Sequence, residues 1–197
     1  MCQVSEGAIL RYPLPGSPEE RRRRFEDVYW ANSAAILGYV LRRTASPHDA
    51  ADVIAETFLT AWRRLDAVPP GDGARLWLYG VARRVLANHR RGERRRTAAN
   101  DRLRAQLTAG YEPPLYTGEL AEVAAAFRTL PEPDRELLAL VAWEGLDPGQ
   151  VAAVLGCSRN AARIRLHRAR RRLASAIARR RPVSQPAPVH VPNGDLT

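Results

Sequence analysis

The 197-residue chain predicts an all-α protein of two small helical domains joined by a flexible linker, the C-terminal one containing a helix-turn-helix. Three observations lead there. Apolar residues recur at helical spacing in seven separate segments, with no persuasive strand alternation between them. The basic charge falls in two blocks, each following a less basic amphipathic segment. Between the halves lies a stretch containing "GYEPPLYTG", rich in turn formers and without apolar periodicity.

In chain order, residues 1–18, with three prolines and two glycines, read as an irregular arm. A first helix is expected from Pro18-Glu19-Glu20 to about Arg43, its acids suiting the positive end of the helix dipole. It opens a domain over 19–96. The second helix has Ser46 as N-cap and Pro47 at its first position, and stops before the turn-rich "DAVPPGDG" of 66–73. A third covers roughly Ala74 to Arg91. Residues 97–118 are expected to be linker, although their first part could remain helical. The second domain spans 119–181, with helices near 119–129, 132–144, 148–155 and 159–178. The tail, 182–197, has four prolines in sixteen residues and little to bury, which predicts disorder.

A net charge of +10 and a pI near 10.8 call for a polyanionic partner, nucleic acid before an anionic membrane surface. All 31 basic residues are arginine, whose forked guanidinium suits phosphate and guanine; a GC-rich genome would give the same bias. Residues 159–181 carry ten arginines and no acid, and residues 83–96 seven arginines against Glu93 alone. By contrast, residues 119–147 hold seven acids and two arginines. Cys2 and Cys157 lie far apart, and the spacing of the four histidines fits no metal site. There is no Gly-rich phosphate loop and no nucleophile–base set. The expectation is therefore a protein without catalytic residues, metal or cofactor. Nothing resembles a signal core or a membrane span, so no membrane insertion and a cytoplasmic location are expected.

The strongest motif is "GQVAAVLGCSRNAARIRLHRARRRLASAI", residues 149–177. Ala162, Leu166, Ala169, Leu173 and Ile177 form one stripe of its long helix. Val151, Ala152 and Leu155 lie on the short helix before it; Gly156 supplies the sharp turn and Ser158 the cap. In such a unit the second helix enters the major groove with its N-terminal residues at the base edges. Ser158, Arg159, Asn160, Arg163 and His167 are candidates there, with Arg165, Arg168 and Arg171 for phosphates. Ile164, apolar on a polar face, suits a thymine methyl. Cys157 reads as core rather than as a reactive thiol.

In the first half, Ile54, Phe58, Ala61, Trp62 and Leu65 are expected to form the apolar face of the second helix. Asp49, Asp52 and Glu56 gather opposite within a sector of about 60°, with Thr60 beside them. DNA would repel that face, so a basic protein partner fits it better. On the third helix Trp77, Leu78, Val81, Val85 and Leu86 are expected inside. Arg83, Arg84, Arg90 and Arg91 lie outside with small Gly80 and Ala87 between them, a surface open to a phosphate chain. Trp77 and Tyr79 serve either as core or as stacking platforms for unpaired bases, core being favoured.

"DAADVIAETFLTAWRRL" followed by "ARLWLYGVARRVLANHRR" resembles region 2 of the extracytoplasmic-function (ECF) group of sigma-70 family sigma factors. "LPEPDRELLALVAWEGLDPGQVAAVLGCSRNAARIRLHRARRRL" resembles their region 4. The resemblance covers most of residues 25–175, in the right order. It implies a transcription initiation factor of bacterial RNA polymerase. Asp49, Asp52, Glu56 and Thr60 would meet the β′ clamp of the core enzyme. Arg75, Trp77, Arg83, Arg84, Asn88, Arg90 and Arg91 would handle the unpaired −10 element. The second domain would bind −35 duplex and touch the β flap. The family also admits an anti-sigma partner. Four positions depart from its pattern: Ala55 for a frequent Gln, Arg84 for Asn, Ala162 for Val and Ile164 for Ser. The competing reading is a one-component regulator whose N-terminal part senses a ligand or dimerises; the acidic patch around Glu56 argues against it.

Overall fold

A computed structural model describes residues 17–100 and 118–180, the side chains of 93–100 excepted. The expected arm (to residue 16), most of the linker and the tail lie outside the described residues. Seven α-helices and one 3-10 turn are present among them: α1 (Pro18–Leu41), α2 (Pro47–Arg63), the 3-10 turn Leu65–Ala67, α3 (Asp72–Asn100), α4 (Glu119–Arg128), α5 (Glu132–Ala142), α6 (Pro148–Leu155) and α7 (Arg159–Ala178). Six of the seven begin and end within about two residues of the positions expected from capping and periodicity. The third starts two residues earlier than expected and runs nine further, to Asn100. Its added segment, "GERRRTAAN", holds helix formers and no proline, so nothing local ends it.

Local chemistry explains the starts. At α1, Glu20 N–H donates to Ser17 Oγ at 3.2 Å while Ser17 N–H donates to Glu20 Oε2 at 2.8 Å, a complete capping box. At α2 the N–H of Asp49 donates to Ser46 Oγ at 3.1 Å, with Pro47 following the cap as expected. Each cap contributes about 1 kcal/mol.

The described residues fall into two compact units: α1–α3 together with residues 149–158, and α4, α5 and α7 with the segments between them. Helix α6 lies in sequence within the segment 119–181, and its residues 149–155 are grouped with the first unit. It has only eight residues and buries Val151, Ala152 and Val154.

In the first unit, Ile36, Tyr39 and Val40 of α1 are buried with Ala50, Val53, Phe58 and Ala61 of α2 and with Leu78, Val81, Ala82, Val85 and Leu86 of α3. Full burial of each large aliphatic side chain among them stabilises by about 2 kcal/mol. The inward face of α2 is rotated from the expected one. Ala50, Val53 and Thr57 join Phe58 and Ala61 inside, whereas Ile54 is only half-buried and Trp62 is 37% exposed. The cause is tertiary: α2 packs on both α1 and α3, so it buries two lines of side chains. Buried Thr57 satisfies its hydroxyl by donating to the carbonyl of Val53 at 2.7 Å.

Leu65, Val68 and Ala74 close the end of this unit, against Phe25, Val28 and Trp77. The loop between α2 and α3 is tied down from α1. Arg21 Nη2 donates to the carbonyl of Trp62 at 2.7 Å and Arg24 Nη2 to that of Val68 at 3.0 Å. Both also stand near Asp66, at 3.6 and 3.9 Å.

In the second unit Leu130, Leu138, Leu166 and Ala169 form a buried cluster flanked by Phe127, Val141 and Leu173. Leu173 and Ile177 are half-buried and Ala176 fully so, which widens the expected stripe of α7 by one column.

Candidate nucleic-acid interface

The turn before α7 is built as its sequence demands. Gly156 has φ +64°, and the N–H of Cys157 reaches back to the carbonyl of Ala152 at 3.0 Å. That is the closing bond of a Schellman cap, which needs a residue at positive φ. Cys157 is half-buried with a free thiol. Ala162, at the position often held by Val, is fully buried, so the smaller side chain sits in the core and not toward a ligand.

All nine residues singled out on this segment face solvent: Ser158, Arg159, Asn160, Arg163, Ile164, Arg165, His167, Arg168 and Arg171. Ile164 is 44% exposed, unusual for an isoleucine flanked by arginines and consistent with an apolar contact on a base. No acid lies on α7, so a phosphate chain approaching it meets no like charge. Over its first thirteen residues the helix extends about 18 Å, long enough to cross a major groove.

On α3, Arg83, Arg84, Asn88 and Arg91 are exposed, with exposed Ala87 among them. Arg91 Nη2 donates to Asn88 Oδ1 at 2.6 Å, which gives these two side chains a common orientation. Arg75 is half-buried near the start of the helix. Arg90 departs from the expected outer face: it is half-buried and its Nη2 donates to the carbonyl of Arg43 at 3.3 Å, joining α3 to the end of α1. Tyr79 is buried 5.1 Å from the ring of Tyr39 and belongs to the core, which removes it as a stacking platform. Trp77 is half-buried against the loop cluster, so only part of its ring remains open.

The acidic face of α2 divides. Asp52 and Glu56 are exposed, and Thr60 is half-buried. Asp49 is half-buried and already engaged: Ser46 Oγ donates to its Oδ2 at 2.7 Å, and Nε2 of His89 stands 3.5 Å from its Oδ1. Exposed Ala55 and Leu59 extend the same side, so the face offers two carboxylates beside apolar surface. The sequence pattern did not reveal that Arg21 and Arg24 of α1 position the 66–71 loop. They lie in the run "RRRR" of residues 21–24, and their partners lie 41 and 44 residues away.

Helical units with an arginine-studded face on α3 and on α7, and a helix-turn-helix made by α6 and α7, define a DNA-handling protein of transcription. Among the described residues no His/Cys/Asp/Glu group could hold a metal ion, and no helix is long and apolar enough to cross a membrane. Residues 28–96 match the family model for sigma-70 region 2, and residues 120–173 that for sigma-70 region 4. The chain belongs to the sigma-70 family of RNA polymerase sigma factors, in its ECF group. The ECF RNA polymerase sigma factor EcfG of Rhodopseudomonas palustris is 27% identical over 143 residues, covering 73% of this chain and 79% of the relative. The RNA polymerase sigma factor CnrH of Cupriavidus metallidurans is 31% identical over 159 residues, 75% of this chain and 83% of the relative. Among solved structures, CnrH in complex with the cytosolic domain of CnrY superposes with a TM-score of 0.56 at 27% identity, covering 81% of this chain and 91% of that one. The sigma factor RpoE bound to the anti-sigma factor NepR, from Bartonella quintana, gives a TM-score of 0.58 at 21% identity over 83% and 99% of the two chains, a likeness of fold.

Proposed function

We propose that this chain is the promoter-recognition subunit of bacterial RNA polymerase, with its labour divided among three surfaces. Asp52 and Glu56 of α2, with Thr60 beside them, meet the basic β′ clamp of the core enzyme. Asp49 supports that face from within. The 66–71 loop and α3, with Arg75, Trp77, Arg83, Arg84, Asn88 and Arg91, hold the unpaired −10 strand. Helix α7 reads −35 duplex through Ser158, Arg159, Asn160, Arg163, Ile164 and His167, with Arg165, Arg168 and Arg171 on phosphates. The second domain also touches the β flap. Arg90, tied to α1, contributes field rather than contact.

The observation that carries this reading is the exposed acidic pair on α2 within a chain of net charge +10. DNA repels such a pair, and a basic protein partner neutralises it. No covalent chemistry belongs to the chain. Melting is driven by binding: capture of unpaired bases offsets a few kcal/mol of unstacking per step. The protein is cytoplasmic, nucleoid-associated when bound to polymerase, and subject to an anti-sigma partner as RpoE of Bartonella quintana is.

Transcription with purified core polymerase tests it. Defined run-off products that core alone does not make are the expected result. Failure to bind core, with tight binding of an intact operator duplex, would establish a one-component regulator instead.

A further inference from the structure

Helix α1 carries an apolar stripe that the core of the first unit does not use. Trp30 is 76% exposed, Leu37 44% and Leu41 45%, with exposed Ala34 between them. They follow one another at four, three and four residues. At about 100° per residue they share a sector of about 60°, on the side away from buried Asn32, Ile36 and Tyr39. Residues 28–41 contain no charged side chain, in a chain where 26% of residues are charged. Single surface hydrophobics are ordinary, but four aligned at heptad spacing over about 16 Å form the seam of a helix that packs on another.

The surroundings of the stripe indicate what covers it. The apolar cluster Ala8-Ile9-Leu10 of the N-terminal arm lies seven to nine residues before Ser17, so even fully extended it spans at most about 32 Å. Leu41 stands about 36 Å along the helix from Ser17, beyond that reach. An anionic membrane surface would want basic residues flanking the stripe, and the sequence has none between 28 and 41.

The stripe is, however, complementary to itself. Exposed Asp27 stands at its N-terminal end and exposed Arg42 at its C-terminal end, on the same flank. Arg42 turns toward the seam, its Nη1 lying 3.1 Å from where a Cβ on Gly38 would be. A two-fold axis between Ala34 and Leu37 sets Trp30 against Leu41 of a second copy at both ends. Ala34 then meets Leu37 in the middle, where its small side chain lets the helices close. Such an axis also turns each flank onto the same flank of its mate. Asp27 of one copy comes alongside Arg42 of the other, about 3 Å out of step along the axis. A parallel pair would instead set Asp27 level with Asp27.

We propose that the outer stripe of α1 is a self-association surface. Two copies of this chain pair antiparallel through Trp30, Ala34, Leu37 and Leu41, with Asp27 of each against Arg42 of the other. The seam buries on the order of 500 Å² a copy, at the small end of specific interfaces, so pairing is weak and reversible. None of its residues belongs to the surfaces assigned to core enzyme or promoter.

Sedimentation equilibrium of the full chain near 0.1 M salt tests it. Wild type should show a monomer–dimer equilibrium with a Kd of about 1–10 µM. Leu37→Glu, at an exposed position, should stay monomeric to about 100 µM with an unchanged thermal midpoint. Asp27→Arg and Arg42→Asp should each weaken pairing about tenfold, because each sets like charges together twice per dimer. An equimolar mixture of those two variants restores both ion pairs and should return to within about threefold of wild type. A merely adhesive patch would give no such rescue. A wild type that is monomeric at about 100 µM overturns the inference, whether the arm or another protein covers the stripe. A dimer indifferent to Leu37→Glu overturns it by placing the contact elsewhere, and a mixture that fails to recover overturns the antiparallel pairing.

Discussion

Asp49 Oδ1 stands 3.5 Å from Nε2 of His89, so the first acid of the α2 cluster is bound within the protein, while Asp52 and Glu56 face outward. Asp49 also accepts from Ser46 Oγ at 2.7 Å and lies in the first turn of α2, where the helix dipole favours its charge. Asp49→Asn should therefore cost about 1 kcal/mol of stability, a fall of several degrees in thermal midpoint, with core binding nearly intact. Glu56→Arg should do the opposite: an unchanged midpoint and at least tenfold weaker core binding, with −35 duplex binding preserved. Calorimetry and a core-competition titration separate the two. Loss of core binding in Asp49→Asn at unchanged stability would contradict the assignment.

Arg163 lies on the exposed side of α7, one turn from its start. If it donates to a base edge, Arg163→Ala should cost about 1–3 kcal/mol, roughly ten- to a hundredfold, against the preferred −35 sequence and much less against an altered one. Arg171→Ala should weaken all sequences alike. Competition binding with single-base substitutions reads this difference, and equal losses for both variants would place Arg163 on a phosphate.

The loop between α2 and α3 is held by Arg24 through the carbonyl of Val68 at 3.0 Å, and the last turn of α2 before it by Arg21 through that of Trp62 at 2.7 Å. Arg24→Ala releases one tie and leaves Val68 itself buried. Open-complex formation, followed by permanganate reactivity of unpaired thymines, should slow several-fold while binding of −35 duplex stays constant. A variant that melts at the wild-type rate would show that this loop needs no fixing to work.

Features set by neighbours in sequence were legible. Ser46-Pro47 starts α2 because a side chain and its own following turn satisfy each other. Gly156 ends α6 because a positive φ is needed where the chain reverses. Both are settled within a few residues, and so is the exposed arginine face of α7. What the sequence could not reveal depends on partners far along the chain. Asp49 differs from Asp52 through His89, forty residues away, as well as through Ser46, the cap of its own helix. The rotation of α2 that buries Thr57 and leaves Trp62 on the rim follows from two helices packing on it at once. Arg90 reads as one more exposed arginine until Arg43 supplies its acceptor. Family resemblance filled part of this gap, since it assigned roles to surfaces whose residues show only charge and exposure.

The ion pair between Asp134 and Arg172 makes an asymmetric prediction. Asp134 is 7% exposed, whereas the Arg172 side chain remains more than half exposed. Arg172→Ala leaves a buried carboxylate without its charged donor, which should cost about 2 kcal/mol. Asp134→Ala frees a guanidinium that can turn to water, so it should cost only about 1 kcal/mol. The double variant should then be more stable than Arg172→Ala alone, because removing the acid also removes the penalty of burying it unpaired. Urea unfolding of the four proteins closes this cycle. Strict additivity of the two single losses would mean that Asp134 is satisfied by something other than Arg172.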